Sequence, residues 1–382
     1  MSHDFVRNPP DSSVGRFNTP DFKFSKRLLI AGSRRDGKRF PQCHAPSLGR
    51  SPDGRLAAAY FAGIRERDPG TAIWGSCMVS EDGEEPHWKE LKVLAKVNQN
   101  AHWNPVLFND SEGRLWLFFK VGDTVEGWET WKCQLNDNFD PVRPPIRLSR
   151  LFGRGGRGPV RSAPIILSNG GWLAPASTEK TVGYRMVERN GYTYRTPDAI
   201  WNAFTDGSSN GGKSWRKSKP VPLDRRKWGE LGGLIQPTLW ESSHGNVHML
   251  LRSTHGKLFR SDSSDYGRTW SQAEPTDIPN PNSAIDVAKL EDGTLVLGYN
   301  PVSGNWVPRD PLSVAYSSGE GRVWSQPVTV EQTPMSGLGL QGSYSYPSIL
   351  PLDGGYAIAY SWNRVNIGFV RATRAALEPV QA

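Results

Sequence analysis

A repeated eight-residue pattern constrains this chain more than any other feature. Ser263-Ser264-Asp265-Tyr266-Gly267-Arg268-Thr269-Trp270 reads S-x-D-x-G-x-T-W without a mismatch. Asp accepts hydrogen bonds from nearby backbone N–H groups, Gly takes positive φ, and Trp supplies a large apolar anchor. The apolar run before the pattern and the polar turn within it predict a β-hairpin. Residues 208–215 repeat it with Asn for Asp and Ser for Thr, and residues 317–324 repeat it with the Asp lost. The three Trp residues, 215, 270 and 324, stand 55 and 54 apart. Ser80-Glu81-Asp82-Gly83, followed by Trp88, is a looser copy. Repetition at this spacing argues for a repeat architecture, which runs long as one domain, although 382 residues alone suggest two or three.

A second repeat runs independently of the first. Each copy is a Pro or its equivalent, an apolar strand, a polar turn and a second apolar strand. Copies begin at Pro46, Pro105, Pro164, Pro237, Val287 and Pro347, at spacings of 59, 59, 73, 50 and 60. The count predicts an all-β, six-bladed β-propeller of four-stranded antiparallel blades. The long interval predicts an insertion in the third blade, where residues 184–197 carry extra loop. Residues 1–40 read as an N-terminal arm and 41–375 as a single propeller domain, with a strand near residues 27–30 completing the last blade. A β-sandwich or a two-domain β protein is the bland alternative, and no long stretch sustains helical apolar spacing.

Bulk properties narrow the setting. The 40 Gly, 30 Pro and 15 Trp suit many tight turns. No apolar run approaches the ~18 residues of a membrane span. Residues 1–26 lack an apolar signal core, so the expected location is cytoplasmic. Cys43, Cys77 and Cys133 are odd in number and lack C-x-x-C spacing, so neither a disulfide framework nor a zinc site is expected. No metal or cofactor is expected. The net charge of +8 favours anionic partners.

In a propeller the first strands of the blades surround one axis, so equivalent positions converge on one mouth. The residues before each first strand then form a ring: His44, His102 with Asn104, Arg161, Gln236, Asp286, and Tyr344 with Tyr346. Second strands return to the same face. Lys120, Glu179 and Arg252 each stand fifteen residues after their Pro, and Arg364 seventeen after its own. Arg65 and Asp68 follow the second strand of the first copy. Tyr344 and Tyr346, two apart on a strand, are expected on one side. Each residue also has a bland reading: a solvated charge, a turn-stabilising Asp or a buried partner. The Gly-rich segment at residues 153–158 lacks G-K-[ST] and a following helix, and reads as a basic loop near the mouth rather than a phosphate cradle.

The eight-residue pattern is the Asp box, and with its repetition the chain resembles the sialidase (neuraminidase) superfamily, as a sialidase-like BNR-repeat protein, over about residues 40–370. The resemblance implies an arginine triad for a substrate carboxylate, an Asp acid and a Tyr nucleophile paired with a Glu. By position Arg252 and Arg309 look like the second and third arginines, Asp68 like the acid and Tyr344 like the nucleophile. Two positions depart from the pattern. His44 stands where the first arginine is expected, and Gln236 where the base Glu is expected. The expected activity is exo-acting hydrolysis of a glycoside of an acidic sugar, sialic, ulosonic or uronic. The catalytic candidates are Tyr344, Tyr346, Asp68, Glu179, His44 and His102. The substrate-binding candidates are Arg252, Arg309, Arg364, Lys120, Arg161, Gln236 and Asp286. Two alternatives stay open: a lyase or other non-hydrolytic enzyme on a uronate-containing glycan, and a non-catalytic glycan-binding propeller. The expected partner is an acidic carbohydrate or other small anion, with neither nucleic acid nor membrane.

Overall fold

The structure, a computed structural model, describes residues 19–25, 28–30, 40–79, 87–148, 156–189, 192–334 and 342–374. It is all-β. The one helix among the described residues is the single turn Arg225–Trp228, opened by the Asp224 carboxylate, which accepts from the Arg226 and Lys227 N–H groups. Each repeat folds as an antiparallel group, because its apolar strands are joined by tight polar turns. The first comprises Gln42–Arg50, Leu56–Gly63 and Ala72–Val79, with His87–Trp88 and Lys92–Ala95 at its edge. The second runs from His102–Asn109 to Ile146–Arg147 and the fifth from Asp286–Lys289 to Val328–Glu331.

The sheets do not separate as the repeats predict. Among the described residues there are five, because the third and fourth groups share one eight-stranded sheet. Ile200 and Trp201 pair in parallel with Gly232 and Gly233, which joins the two groups. The third group's opening strand is only Ile165–Ile166. The last sheet carries Tyr344–Leu352, Gly355–Trp362 and Asn366–Arg374. N-terminal residues add to its edge: Phe22–Phe24 and Leu28–Leu29 both pair with Asn366–Arg374.

Side chains bond each group to the next. The residue after the Pro of one opening strand accepts from the backbone N–H one residue further on in its neighbour. Ser47 Oγ accepts from Leu107 N, Thr238 Oγ1 from Val287 N, Asp286 Oδ2 from Ile349 N and Ser348 Oγ from Leu48 N, at 2.8–3.0 Å. This register makes Ile285, not Val287, the Pro-equivalent of the fifth repeat. The opposite ends are joined through the Asp boxes. The Gly carbonyls of the three boxes, Gly212, Gly267 and Gly321, accept from Lys132 Nζ, Thr205 Oγ1 and Arg260 Nη1 of the preceding group. Together these bonds link every group to its successor and the sixth to the first.

The box at Ser263 shows why its residues are needed. Asp265 accepts from the Arg268 and Thr269 N–H groups and from the Ser263 and Thr269 hydroxyls. Gly267 has φ +76°, and a Cβ there would meet Leu173 at 2.4 Å. Trp270 is buried, and its indole N–H donates to Thr205 Oγ1 at 3.1 Å. Residues 80–83 of the looser copy lie outside the described residues. Cys43, Cys77 and Cys133 are buried free thiols.

Candidate functional site

The opening strands carry a recurring distortion. In four of them the residue before the Pro has positive φ: Ala45 (54°), Asn104 (40°), Gln236 (47°) and Tyr346 (59°). Each ladder skips there, between His44 and Ser47, Trp103 and Val106, Ile235 and Thr238, and Ser345 and Ser348. A bulge releases one residue from the alternation of the strand and re-aims its side chain. The left-handed conformation costs a non-glycine residue roughly 1–2 kcal/mol, and a residue before Pro is ordinarily pushed to extended backbone instead. Strain kept at one position in four repeats marks a site. Asn104, Gln236 and Tyr346 all line a cavity of about 550 Å³.

Tyr346 is buried at the centre of this cluster. Its hydroxyl accepts from Arg252 Nη1 at 3.0 Å. The same nitrogen donates to Gln236 Oε1 at 2.7 Å, and Arg252 Nε donates to Asn282 Oδ1 at 2.6 Å. These bonds engage Nε and Nη1 of Arg252. The guanidinium carbon lies 5.7 Å from the Trp201 ring and 5.4 Å from that of Trp306, within cation–π range. Arg309 lies 5.5 Å from the Tyr346 ring and donates to the Asn282 carbonyl. Burial pushes the Tyr346 phenol up. Arg252, Arg309 and Arg364 together outweigh it, against Glu66, and the phenol falls below its ordinary value of 10.0. Burial and the crowding of cations lower Arg309 to about 10, against the opposing pull of Tyr346.

A second layer supports the first. His44 packs on Tyr346 at 4.1 Å between ring centres. Its Nε2 meets Arg364 Nη2 at 3.2 Å, and Arg364 Nη1 donates to Glu66 Oε2 at 2.8 Å. Burial first, then Arg364, Arg309, Arg161 and Arg252, hold the His44 imidazole well below 6.5. It is therefore neutral, and with Nε2 accepting from Arg364 its proton belongs on Nδ1. Arg161, fully buried, donates through Nη2 to the Tyr346 and Pro347 carbonyls at 2.5 and 2.7 Å, clamping the bulge that turns Tyr346. Glu179 lines the cavity beside Trp201. Burial raises its carboxyl above the usual 4.5, against the pull of Arg252 and Arg67.

The structure therefore gathers Tyr346, Arg252, Arg309, Arg364, His44, Gln236, Glu179 and Arg161. It sets the other candidates apart. Tyr344 does not share a side with Tyr346, because Tyr346 lies within the bulge and Tyr344 on the regular ladder before it. Its ring packs edge-on against Tyr360, and its hydroxyl meets Thr333 Oγ1 at 3.3 Å. His102 is a buried link: Nε2 accepts from Val97 N, and Nδ1 meets the Asn100 carbonyl, both at 2.9 Å. Lys120 is buried against Thr130 Oγ1 and the Arg157 carbonyl, and burial lowers it to about 7. Asp286 serves the inter-strand bonds to Ile349 and Thr238. Asp68 caps its own loop by accepting from Gly70 N at 2.7 Å, whereas Glu66 and Arg67 of that loop line the cavity. Of the Gly-rich segment, Arg157 is described, and it turns inward to Asp206 at 2.8 Å.

Sequence reading missed Glu66, Arg67, Trp201, Trp306 and Asn282. Asn282 occupies in the fifth repeat the position that Arg161 occupies in the third, so correct register would have found it. Among the described residues no group of three or more His, Cys, Asp or Glu could hold a metal ion. No helix among them is long and apolar enough to cross a membrane.

Residues 54–358 match the BNR repeat-like domain. Among solved structures, a protein of unknown function from Dyadobacter fermentans is 14% identical with a TM-score of 0.69, over 94% of this chain and 100% of that one. Trypanosoma rangeli sialidase is 15% identical with a TM-score of 0.62, over 91% of this chain and 59% of that one. NanB sialidase from Streptococcus pneumoniae is 12% identical with a TM-score of 0.62, over 91% and 70%. The chain thus spans little more than half of the trypanosomal chain, and at these identities the likeness is one of fold. No curated protein matches it in sequence.

Proposed function

This chain belongs to the BNR repeat-like domain family and has a sialidase-like fold, and on that premise we propose that it is an exo-acting glycoside hydrolase for an acidic sugar. Its architecture in this reading is a six-bladed propeller with the Tyr346 cavity at the central mouth. Six repeats, and side-chain bonds that link each to the next and the sixth to the first, support the blade count.

The observation that carries the chemistry is the contact of Arg252 Nη1 with Tyr346 Oη at 3.0 Å, inside a cluster of cations. A phenol is a weak nucleophile unless a neighbour removes its proton or stabilises the phenolate. With an amide at Gln236, no base stands there. Here cations do the work by favouring the phenolate. Arg309 and Nη2 of Arg252 receive the sugar carboxylate, for which a guanidinium offers charge-assisted bonds. The phenolate oxygen bonds to the anomeric carbon as the glycosidic C–O bond breaks. Glu179, whose protonated form burial favours, gives its proton to the leaving oxygen. The resulting carboxylate then takes a proton from water, whose oxygen displaces Tyr346.

One observation also favours the lyase reading: a stabilised phenolate beside carboxylate-binding arginines can equally take a proton from the carbon next to that carboxylate. A single screen separates the readings. Sialosides, other ulosonic glycosides and uronate glycans are incubated with the protein, and free sugar and unsaturated product are both measured. Hydrolysis predicts free acidic sugar, lost in Tyr346→Phe and retained in Tyr344→Phe. Unsaturated product lost in Tyr346→Phe replaces hydrolase by lyase. Turnover indifferent to Tyr346→Phe removes Tyr346 from either mechanism, and binding of an acidic sugar without any turnover leaves a binding protein.

A further inference from the structure

Away from the mouth, the sequence concentrates cations in one short segment. Lys213-Ser214-Trp215-Arg216-Lys217-Ser218-Lys219 carries four in seven residues, beginning inside the third group's Asp box. Such a run is usually a solvated face, and it becomes a polyanion site only where the fold builds a receptor around it. Here the fold does so. A cavity of about 690 Å³ opens between the third and fourth groups, lined by Arg216, Lys217 and Lys219 and, from the fourth group's box, by Arg268. It lies at the far end of the molecule from Tyr346. Strand Tyr192–Ser208 passes Trp201 at the mouth and reaches this cavity at Ser208, seven residues on, roughly 23 Å of strand.

The cations of this groove stand without ionic partners, whereas its acids are engaged. Arg216, Lys219 and Arg268 are exposed and form no ion pair among the described residues. Lys217 is exposed too, with Nζ 3.9 Å from the centre of the Phe204 ring. Asp265, the one carboxylate on the lining, already accepts from the Ser263 and Thr269 hydroxyls and the Arg268 and Thr269 N–H groups. Glu241, nearby, accepts from Ser168 N and Oγ and from Gly245 N. Four cations against one carboxylate make a field that attracts a polyanion and weakens with salt.

The lining chooses among polyanions. Its two aromatic rings are packed already, Trp172 against Phe108 and Trp116 and Tyr266 against Gly245, so neither is a platform for a nucleic-acid base. The strand Arg216–Lys217 is two residues long, too short for a peptide to join as a further strand. Hydroxyls of Ser209, Ser218 and Thr269 line the groove with the cations, and Leu167 and Leu173 add apolar surface, which together suit sugar rings. A uronate presents one charge per ring. Sulfate esters project from several positions of a ring, and so reach Arg216 and Lys219 of the third group and Arg268 of the fourth at once. We propose that this groove binds a linear sulfated polysaccharide. The site is separate from the mouth and does not rest on the reaction assigned there.

Calorimetry on the full chain with a heparin hexasaccharide tests it. Binding at low salt is expected to weaken as salt is raised, and to fall by about tenfold or more when Arg216→Ala, Lys219→Ala and Arg268→Ala are combined. Lys89→Ala, Arg143→Ala and Arg371→Ala, an equal loss of charge at exposed positions elsewhere, should change it by less than about twofold. In the wild type the hexasaccharide should also slow acetylation of Lys219 relative to Lys89, a readout that needs no variant. Absence of binding, binding that survives the groove substitutions, or an equal loss in the control variant overturns the site. Hexagalacturonate, hexaglutamate or a short oligodeoxynucleotide bound as tightly as heparin overturns the assignment to a sulfated sugar.

Discussion

Arg252→Lys keeps the charge at the centre of the site and removes the fork. In the wild type, Nε holds Asn282 Oδ1, and Nη1 is shared between Gln236 Oε1 and Tyr346 Oη. An ammonium is a point donor and replaces only one end of this arrangement. Asn282 and Gln236 are both buried, so water cannot reach the stranded acceptors freely. Each unsatisfied buried acceptor costs about 1–3 kcal/mol. With one or two stranded, and partial relaxation, the expected loss of stability is about 2–4 kcal/mol, read as a lower urea midpoint. Affinity for an acidic monosaccharide should also fall by more than about tenfold, because a bidentate or paired guanidinium contact becomes a single one. A stability change below about 0.5 kcal/mol together with unchanged affinity would show that Arg252 neither organises Asn282 and Gln236 nor meets the ligand.

Other consequences are open to measurement. Trp270→Ala should cost about 3–5 kcal/mol in chemical denaturation while ligand affinity holds, and an affinity loss at unchanged stability would refute its anchoring role. Gln236→Glu places a carboxylate against Arg252 and should raise the Tyr346 phenol, seen as a later tyrosinate absorbance in a pH titration; an earlier one contradicts the electrostatic account. Burial lowers His102 from 6.5 to about 4, with Lys96 adding to it. Below pH 6.5 the unfolded chain therefore binds a proton that the folded one refuses, so stability falls as pH drops from 6.5 towards 4. His102→Asn should flatten the stability–pH curve in that window by up to about 1.4 kcal/mol per pH unit, and an unaltered slope would contradict the buried neutral imidazole.

The all-β class and the approximate repeat boundaries were legible because turn chemistry and apolar runs are local signals. The mouth was legible in part, since repeat arithmetic carries equivalent positions to one place. It brought Arg252, Gln236, Glu179 and Tyr346 together from residues far apart in the chain. It failed where the backbone departs from period two. The Tyr344 and Tyr346 pair looked equivalent, yet Tyr346 itself is left-handed before Pro347, which takes it out of the alternation that holds Tyr344. Pro is itself a hint of that bulge, but the same dipeptide ordinarily signals extended chain. His102 and Lys120 sat at the right offsets and were taken up by neighbours, Val97 and Thr130, that no spacing rule identifies. The parallel pairing of Ile200 and Trp201 with Gly232 and Gly233 depends on the positive φ of both glycines, which sequence permits without requiring.

Phe22–Phe24 and Asn366–Arg374 are neighbours in one sheet although almost the whole chain lies between them. During synthesis the early strand has emerged long before its partner exists, and it has no edge of its own to join. The groups between them can form as they leave the ribosome, each on local contacts, but the sheet that receives the first strand waits for residue 374. Loop closure over such a separation is slow relative to hairpin formation. The exposed pairing edge of Asn366–Arg374, and the unpaired Phe22 and Phe24, are therefore the last surfaces to be covered and the first that a folding intermediate offers to another chain.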